Sequence, residues 1–131
     1  MIAGGTLESV DAANHEYLEA YRARFAQARS EERARGAAAL AVARAIAELL
    51  VGSFQARRVV LIGSLARGTF RWHSDVDLVV EGVPPDRFFA ACAAADRLAG
   101  DLAVDLVPLE DAGSLIHQRV ASEGKELARA A

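Results

Sequence analysis

Residues 58–82 read RVVLIGSLARGTFRWHSDVDLVVEG, and this stretch decides the fold. Arg58 to Ile62 is a short, largely apolar run that ends at Gly63, long enough for a buried strand and too short for a helix. Asp75 to Glu81 alternates acids with apolar residues and stops at Gly82, which is typical of a second strand. The stretch therefore predicts two strands joined by a glycine-containing turn and a short helical segment.

Helical and strand patterns continue on both sides of this stretch. Before it, apolar residues at helical spacing predict one helix from Leu7 to Arg29 and a second that is capped by Ser30 and closed by Gly52. The elements predicted after it are a helix over Phe88 to Leu98, a strand over Leu102 to Val107 and a helix over Asp111 to Ser122. The side chains expected to face the core from these two helices are Phe88, Phe89, Cys92, Leu98, Leu115, Ile116 and Val120.

Length and composition predict one soluble domain, and the helix and strand patterns along the chain predict the α+β class. The 131 residues suffice for one core, so we expect a helical extension over residues 1–53 packed on a core over residues 54–131. No uncharged apolar run approaches the ~18 residues of a membrane span, and the first residues lack a signal-peptide pattern. Because Cys92 is the single cysteine, no internal disulfide framework is expected, and a cytoplasmic location fits best.

Three acids are the candidate metal ligands. Residues two apart in a strand point to the same side, so Asp75 and Asp77 present two carboxylates together while Val76 points into the core. Asp105 lies within the apolar run LAVDLV of the next strand, where a carboxylate needs a partner. Adjacent carboxylates repel unless a cation lies between them, and an all-oxygen donor set suits Mg²⁺ or Mn²⁺. We therefore predict that these three acids hold divalent ions when the third strand lies beside the second.

Gly63 and Ser64 are the candidate phosphate site, because they lie between the first strand and a helical turn. A glycine lets the backbone approach a ligand closely, and free amides at a helix start favour an anion. Arg67 follows one helical turn later and Arg71 one turn after that, so either could neutralise a triphosphate. Two metal ions bridging a triphosphate and an acceptor would support displacement of pyrophosphate at the α-phosphorus, with Asp105 taking the acceptor proton.

The runs GSLARG at residues 63–68 and SDVDL at residues 74–78, followed by Asp105, resemble the nucleotidyltransferase superfamily that includes DNA polymerase β. They are more similar to its minimal nucleotidyltransferase branch, whose members are commonly encoded as antitoxins beside a HEPN-domain ribonuclease toxin. The closing Ile116, Val120, Glu123-Gly124 and Leu127 also resemble the final helix of that branch. The resemblance covers Arg57 to Leu127, and the N-terminal helix departs from it.

The resemblance implies a small mixed sheet flanked by helices. It also implies an enzyme that uses ATP with Mg²⁺ or Mn²⁺ and a HEPN-type toxin as its partner. It also implies that the site residues are Asp75, Asp77 and Asp105 for catalysis and metal, and Gly63, Ser64 and Arg67 for the nucleotide.

Three functions stay open at this point. The first is transfer of AMP or another nucleotide to a hydroxyl of the partner toxin. The second is an antitoxin that only occludes its partner, and the third is transfer to a small molecule, as in aminoglycoside nucleotidyltransferases. The small-molecule enzymes bind the acceptor with a C-terminal helical domain, whereas only 26 residues follow Asp105 here, so we expect the acceptor to arrive on another chain. The N-terminal helices could supply an acceptor pocket or a dimer interface, and a net charge of −3 gives no reason to expect nucleic acid as a partner.

Overall fold

The computed structural model describes the backbone of residues 2–131 and the side chains of residues 12–131. The helices are α1 (Ile2–Ser53), α2 (Ser64–Arg67), α3 (Phe88–Ala99) and α4 (Ser114–Glu123). The strands are β1 (Arg58–Ile62), β2 (Val76–Glu81), β3 (Val104–Pro108) and β4 (Lys125–Arg129). Short 3₁₀ turns precede α3 and α4, at Pro85–Arg87 and Leu109–Asp111.

The N-terminal region is one helix, so the prediction of two helices was wrong. Ser30 lies inside α1 rather than at a helix start. The segment from Leu7 to Arg35 contains neither glycine nor proline and is rich in Ala, Glu and Arg, so nothing in it interrupts the helix. Gly52 lies in the last turn of α1 and is not its closing residue. The residue that adopts the left-handed conformation is Gln55, with φ 64°, and the N–H of the next residue donates to the carbonyl of Leu50 at 3.1 Å.

The four strands form one mixed sheet in the order β3-β2-β1-β4. β1 runs antiparallel to both β2 and β4, whereas β2 and β3 are parallel. The predicted fold class, α+β with a small mixed sheet flanked by helices, is confirmed. β4 was not predicted, because its sequence KELAR is largely exposed and carries only Leu127 and Ala128 toward the core. β4 forms because it pairs with β1, and a local sequence pattern does not predict a pairing between segments so far apart in the chain.

The two faces of the sheet carry different cores. On one face, apolar residues of β1, β2 and β3 pack against the C-terminal part of α1 and against α3. The buried residues of this larger core include Ile46 and Leu50 of α1, Val59 and Leu61 of β1, and Val76, Leu78 and Val80 of β2. On the other face, Val60, Ile62, Val79 and Leu109 pack with Ile116 and Val120 of α4. The candidate site lies on this second face.

Helix α3 contacts the sheet through alanines and not through the large residues that the sequence suggested. Ala91, Ala94, Ala95 and Ala99 are its buried residues, whereas Phe89 is 88% exposed and Leu98 is 46% exposed. Small side chains let the helix approach the sheet closely, and the larger residues are left on the outer side. Leu115 of α4 is likewise exposed, so the expectation that it faces the core was wrong.

We expect Ala91→Leu to lower the free energy of unfolding by about 1–3 kcal/mol, because Ala91 is fully buried where α3 meets the sheet and a larger side chain overpacks it. Urea denaturation measures this change. Phe89→Ala is the control on the same helix, and its effect should stay within about 0.5 kcal/mol. The reverse order of the two effects would mean that α3 packs on its phenylalanine face.

Contacts divide the chain into two units, Met1–Arg33 and Ala34–Ala131. The sheet and the candidate site belong to the second unit, and the predicted domain boundary at residue 53 stays a prediction. By length and composition, α1 also contains a stretch apolar enough to cross a membrane. Five residues of α1, Ala39, Ala43, Ile46, Ala47 and Leu50, are buried in the core. A core helix passes the same test, so the finding is weak evidence for a membrane span.

Candidate active site

The three predicted acids lie at one edge of the sheet. In the β2–β3 pair Asp77 is directly opposite Asp105, and in the β1–β2 pair it is opposite Ile62, the last residue of β1. Asp75 lies immediately before β2. The acids were expected to lie together if the third strand lay beside the second. This condition is met, because β3 pairs with β2 in parallel.

Asp77 points toward the α4 side of the sheet. Val76 is fully buried on the opposite side, as predicted from strand alternation, and Asp77 shares its side with Val79. Asp77 is half-buried, whereas Asp75 and Asp105 are exposed. The most constrained carboxylate of the three is therefore that of Asp77.

Burial and the negative charges of Asp105 and Asp75 raise the pKa of Asp77. The positive charges of Arg119 and Arg67 act in the opposite direction and do not cancel that rise. The edge therefore carries an excess of negative charge that a bound cation would relieve.

The donor chemistry of this edge fits Mg²⁺ or Mn²⁺, because all three candidate ligands are carboxylates. In the part of the chain whose side chains are described, no group of three or more His, Cys, Asp or Glu side chains is arranged so that it could hold a metal ion. The roles of Asp75, Asp77 and Asp105 as metal ligands stay a prediction.

The turn after β1 requires glycine at residue 63. Gly63 has φ 84° and ψ −160°, a conformation that is essentially restricted to glycine. A Cβ at this position would lie only 2.7 Å from Oδ2 of Asp77. The candidate phosphate turn and the half-buried carboxylate are therefore in direct contact, and Ser64 begins α2 at the next position.

Glu123 joins this turn to α4. Its Oε2 accepts a hydrogen bond from the Gly63 N–H at 2.6 Å and another from Nη1 of Arg67 at 3.0 Å. The Glu123 side chain is 18% exposed, and that of Arg67 is 48% exposed. Glu123 and Arg119 were not among the predicted site residues. Their spacing of four on the last helix puts both on one face, which is the signal that could have found them.

Among the hydrogen bonds of the described side chains, none joins the loop between α2 and β2 to the three acids. Ser74 Oγ accepts a hydrogen bond from the Arg71 N–H at 3.0 Å, so Ser74 stabilises the turn before β2. Trp72 is 73% exposed and lies edge-to-face with His73.

A separate groove lies near the other ends of β2 and β3, away from the acids. It is lined by Val83, Pro84, Phe88, Phe89 and Pro108.

A mixed sheet with a Gly-Ser turn after one strand and paired acids at the start of the next is the architecture of a nucleotidyltransferase. The chain belongs to the polymerase beta nucleotidyltransferase family, whose model matches residues 44–130. The matched region contains the whole sheet, the Gly-Ser turn and the three acids. The resemblance drawn from residues 63–78 is thereby confirmed.

Several of the solved structures that this chain resembles are toxin–antitoxin structures. A toxin–antitoxin structure with AMP-PNP is 26% identical to this chain, with a TM-score of 0.55, and the match covers 67% of this chain and 73% of the other. A Tyr-to-Ala mutant of the toxin–antitoxin MntA-HpeT is 28% identical, with a TM-score of 0.50 and coverages of 62% and 66%. A double Asp-to-Glu mutant of MntA-HpeT, at 24% identity and a TM-score of 0.54, shares the fold over 67% of this chain and 73% of its own. The sequence matches no curated protein at a significant level.

Proposed function

We propose that this protein transfers AMP from ATP onto a hydroxyl side chain of a partner protein, and that the partner is a HEPN-type toxin. The observation that carries the proposal is the contact between the Gly63 turn and Asp77, where a Cβ would meet the carboxylate oxygen at 2.7 Å. This contact joins a phosphate-binding type of turn to an acidic edge in a chain of the nucleotidyltransferase family.

The nucleotide would bind through its phosphates at the Gly-Ser turn. The backbone of Gly63 leaves room for close approach, and the Ser64 hydroxyl can donate a hydrogen bond to a phosphate oxygen. Arg67 has five N–H donors, one of which is directed at Glu123, so others remain for a triphosphate. These residues bind and orient the phosphates beside the acids.

Asp75, Asp77 and Asp105 would hold Mg²⁺ or Mn²⁺, which supplies positive charge for the attacking and leaving oxygens of an in-line displacement. A bond forms between the acceptor oxygen and the α-phosphorus, and the bond from that phosphorus to the bridging oxygen of pyrophosphate breaks. The acceptor loses its proton in this step. Asp105 is exposed at the edge and can take that proton, whereas Asp77 is half-buried.

The choice of ATP and of a protein acceptor rests on the solved structures. The relative with AMP-PNP is a toxin–antitoxin structure at 26% identity that covers more than two thirds of each chain. AMP-PNP is an ATP analogue, which supports ATP as the substrate here. A cytoplasmic location, where ATP and Mg²⁺ are both present, is part of the same proposal.

The proposal is tested by incubating the purified chain with Mg²⁺, α-labelled ATP and the HEPN protein encoded beside it. We expect label on a hydroxyl side chain of the partner and little label on the chain itself. A variant with Asp105→Ala should lose transfer more completely than it loses ATP binding, because Asp105 is proposed to accept the proton as well as to hold metal.

Two outcomes would contradict transfer to a protein. Efficient labelling of a free sugar or small alcohol would indicate a small-molecule nucleotidyltransferase. Full protection against the toxin by a variant carrying Asp75→Ala with Asp77→Ala would indicate an antitoxin that acts by occlusion.

A further inference from the structure

The C-terminal end of α4 is hydrogen-bonded to the candidate phosphate turn through one carboxylate, that of Glu123. Oε2 of Glu123 accepts two hydrogen bonds, from the Gly63 amide at 2.6 Å and from the Arg67 guanidinium at 3.0 Å. These donors belong to two of the residues proposed to meet the nucleotide. The Glu123 side chain thus contacts both a backbone amide and the guanidinium group of the candidate phosphate site.

The position of Glu123 is an unfavourable one for a carboxylate. Glu123 is the last residue of α4, where the helix macrodipole disfavours negative charge, and its side chain is only 18% exposed. A charge held there needs strong partners, because desolvation is costly. Gly63 and Arg67 are the partners that compensate it.

The main chain next to Glu123 packs closely against β1. A Cβ on Gly124 would lie 2.8 Å from Cγ1 of Val60 in β1, so the end of α4 lies directly on the strand that leads into the turn. The chain then enters β4, which pairs with β1. The carboxylate of Glu123 is therefore presented to the turn by a segment that is packed on β1.

We propose that Glu123 is a positioning residue for the nucleotide. By accepting the Gly63 N–H and holding the Arg67 guanidinium, it orders the phosphate turn and a long side chain before ATP binds. An arginine side chain without a partner loses rotamer freedom when it binds a phosphate. A side chain that already forms an ion pair loses less. The inference rests on the proposed function, since it gives Glu123 a role only if the turn binds ATP.

The test compares Glu123→Gln with Glu126→Gln in the full chain. Glu126 is also paired to an arginine, Arg129, at 2.6 Å, but it is an exposed surface pair on β4. We expect Glu123→Gln to weaken binding of Mg²⁺-ATP about tenfold, as for loss of one charge-assisted hydrogen bond, and Glu126→Gln to leave it unchanged. Isothermal titration calorimetry measures both. Tighter ATP binding by Glu123→Gln would mean that Glu123 competes with the phosphates, which overturns the proposal.

A double-mutant cycle separates positioning from general stabilisation. Because Glu123 acts in part through Arg67, its substitution should cost less ATP affinity in an Arg67→Ala background than in the wild type. Equal losses in the two backgrounds would overturn an action through Arg67.

Hydrogen exchange at the Gly63 amide tests the contact without nucleotide. Exchange should be faster in Glu123→Ala, which removes the acceptor, than in the wild type, and unchanged exchange would overturn the contact itself. A wild-type protein that fails to bind ATP while Glu123→Ala still accelerates this exchange would overturn the proposed function and, with it, the positioning role, but leave the contact standing. Failure of the proposed function and failure of the contact are thereby distinguished.

Discussion

We expect Asp77→Asn to reduce nucleotide transfer on the order of a thousandfold while leaving the fold at least as stable as that of the wild type. Asp77 is the half-buried acid that lies between the Gly63 turn and Asp105, so its carboxylate is proposed to contribute to metal binding where the phosphates arrive. In the absence of metal, the same carboxylate is repelled by Asp75 and Asp105. A neutral amide of nearly the same shape removes that repulsion.

Labelling of the partner with α-labelled ATP measures the loss of transfer in Asp77→Asn, and melting curves with and without Mg²⁺-ATP measure its stability and its ligand binding. Without ligand, the variant should melt at the wild-type temperature or above it. With Mg²⁺-ATP at about a hundred times Kd, the wild type should gain about 2.7 kcal/mol of stability and the variant should gain almost none. Asp111→Asn is the control, since Asp111 is an exposed acid in the turn after β3. An equal gain in both variants would remove Asp77 from the site.

The second large effect is expected at Gly63. Gly63→Ala introduces a Cβ 2.7 Å from Asp77 Oδ2, at a backbone conformation that other residues essentially do not adopt. The turn must shift away from Asp77 to accommodate it, so ATP binding should be lost. The backbone strain should also lower the free energy of unfolding by about 1–3 kcal/mol.

Gly113→Ala is the matched control for this change. Gly113 has φ −77°, and a Cβ there would meet no atom within 4 Å. We expect it to bind ATP with wild-type affinity. Wild-type ATP affinity in a folded Gly63→Ala protein would mean that the triphosphate binds elsewhere, and equal losses in both glycine variants would mean that the effect is unspecific.

Local patterns were sufficient for the strands that carry the site. The apolar run of β1, its stop at Gly63 and the alternation through Asp75 to Glu81 depend on near neighbours in the chain. The observed bounds of β1 equal the predicted ones, and those of β2 and β3 differ by at most two residues. The prediction of two N-terminal helices was wrong because a possible capping residue such as Ser30 does not end a helix that its neighbours favour. The side chains that pack α3 were misjudged because the depth at which a helix approaches a sheet is not a local property.

By itself, the sequence determined the strand–turn–strand unit over residues 58–82 and the α+β class, and it singled out three acids and the Gly-Ser turn as candidate site residues. These features arise from residue spacing, because the periods of strand and helix assign side chains to faces before any distant contact forms. The tertiary structure decided which strands are neighbours, so only it could put Asp105 in register with Asp77. It also decided the contacts of Glu123, which lies 60 residues after Gly63 and reaches it only because α4 and β4 fold back on β1. Such contacts depend on chain topology and on the burial of charge, and neither is encoded in a short window of sequence.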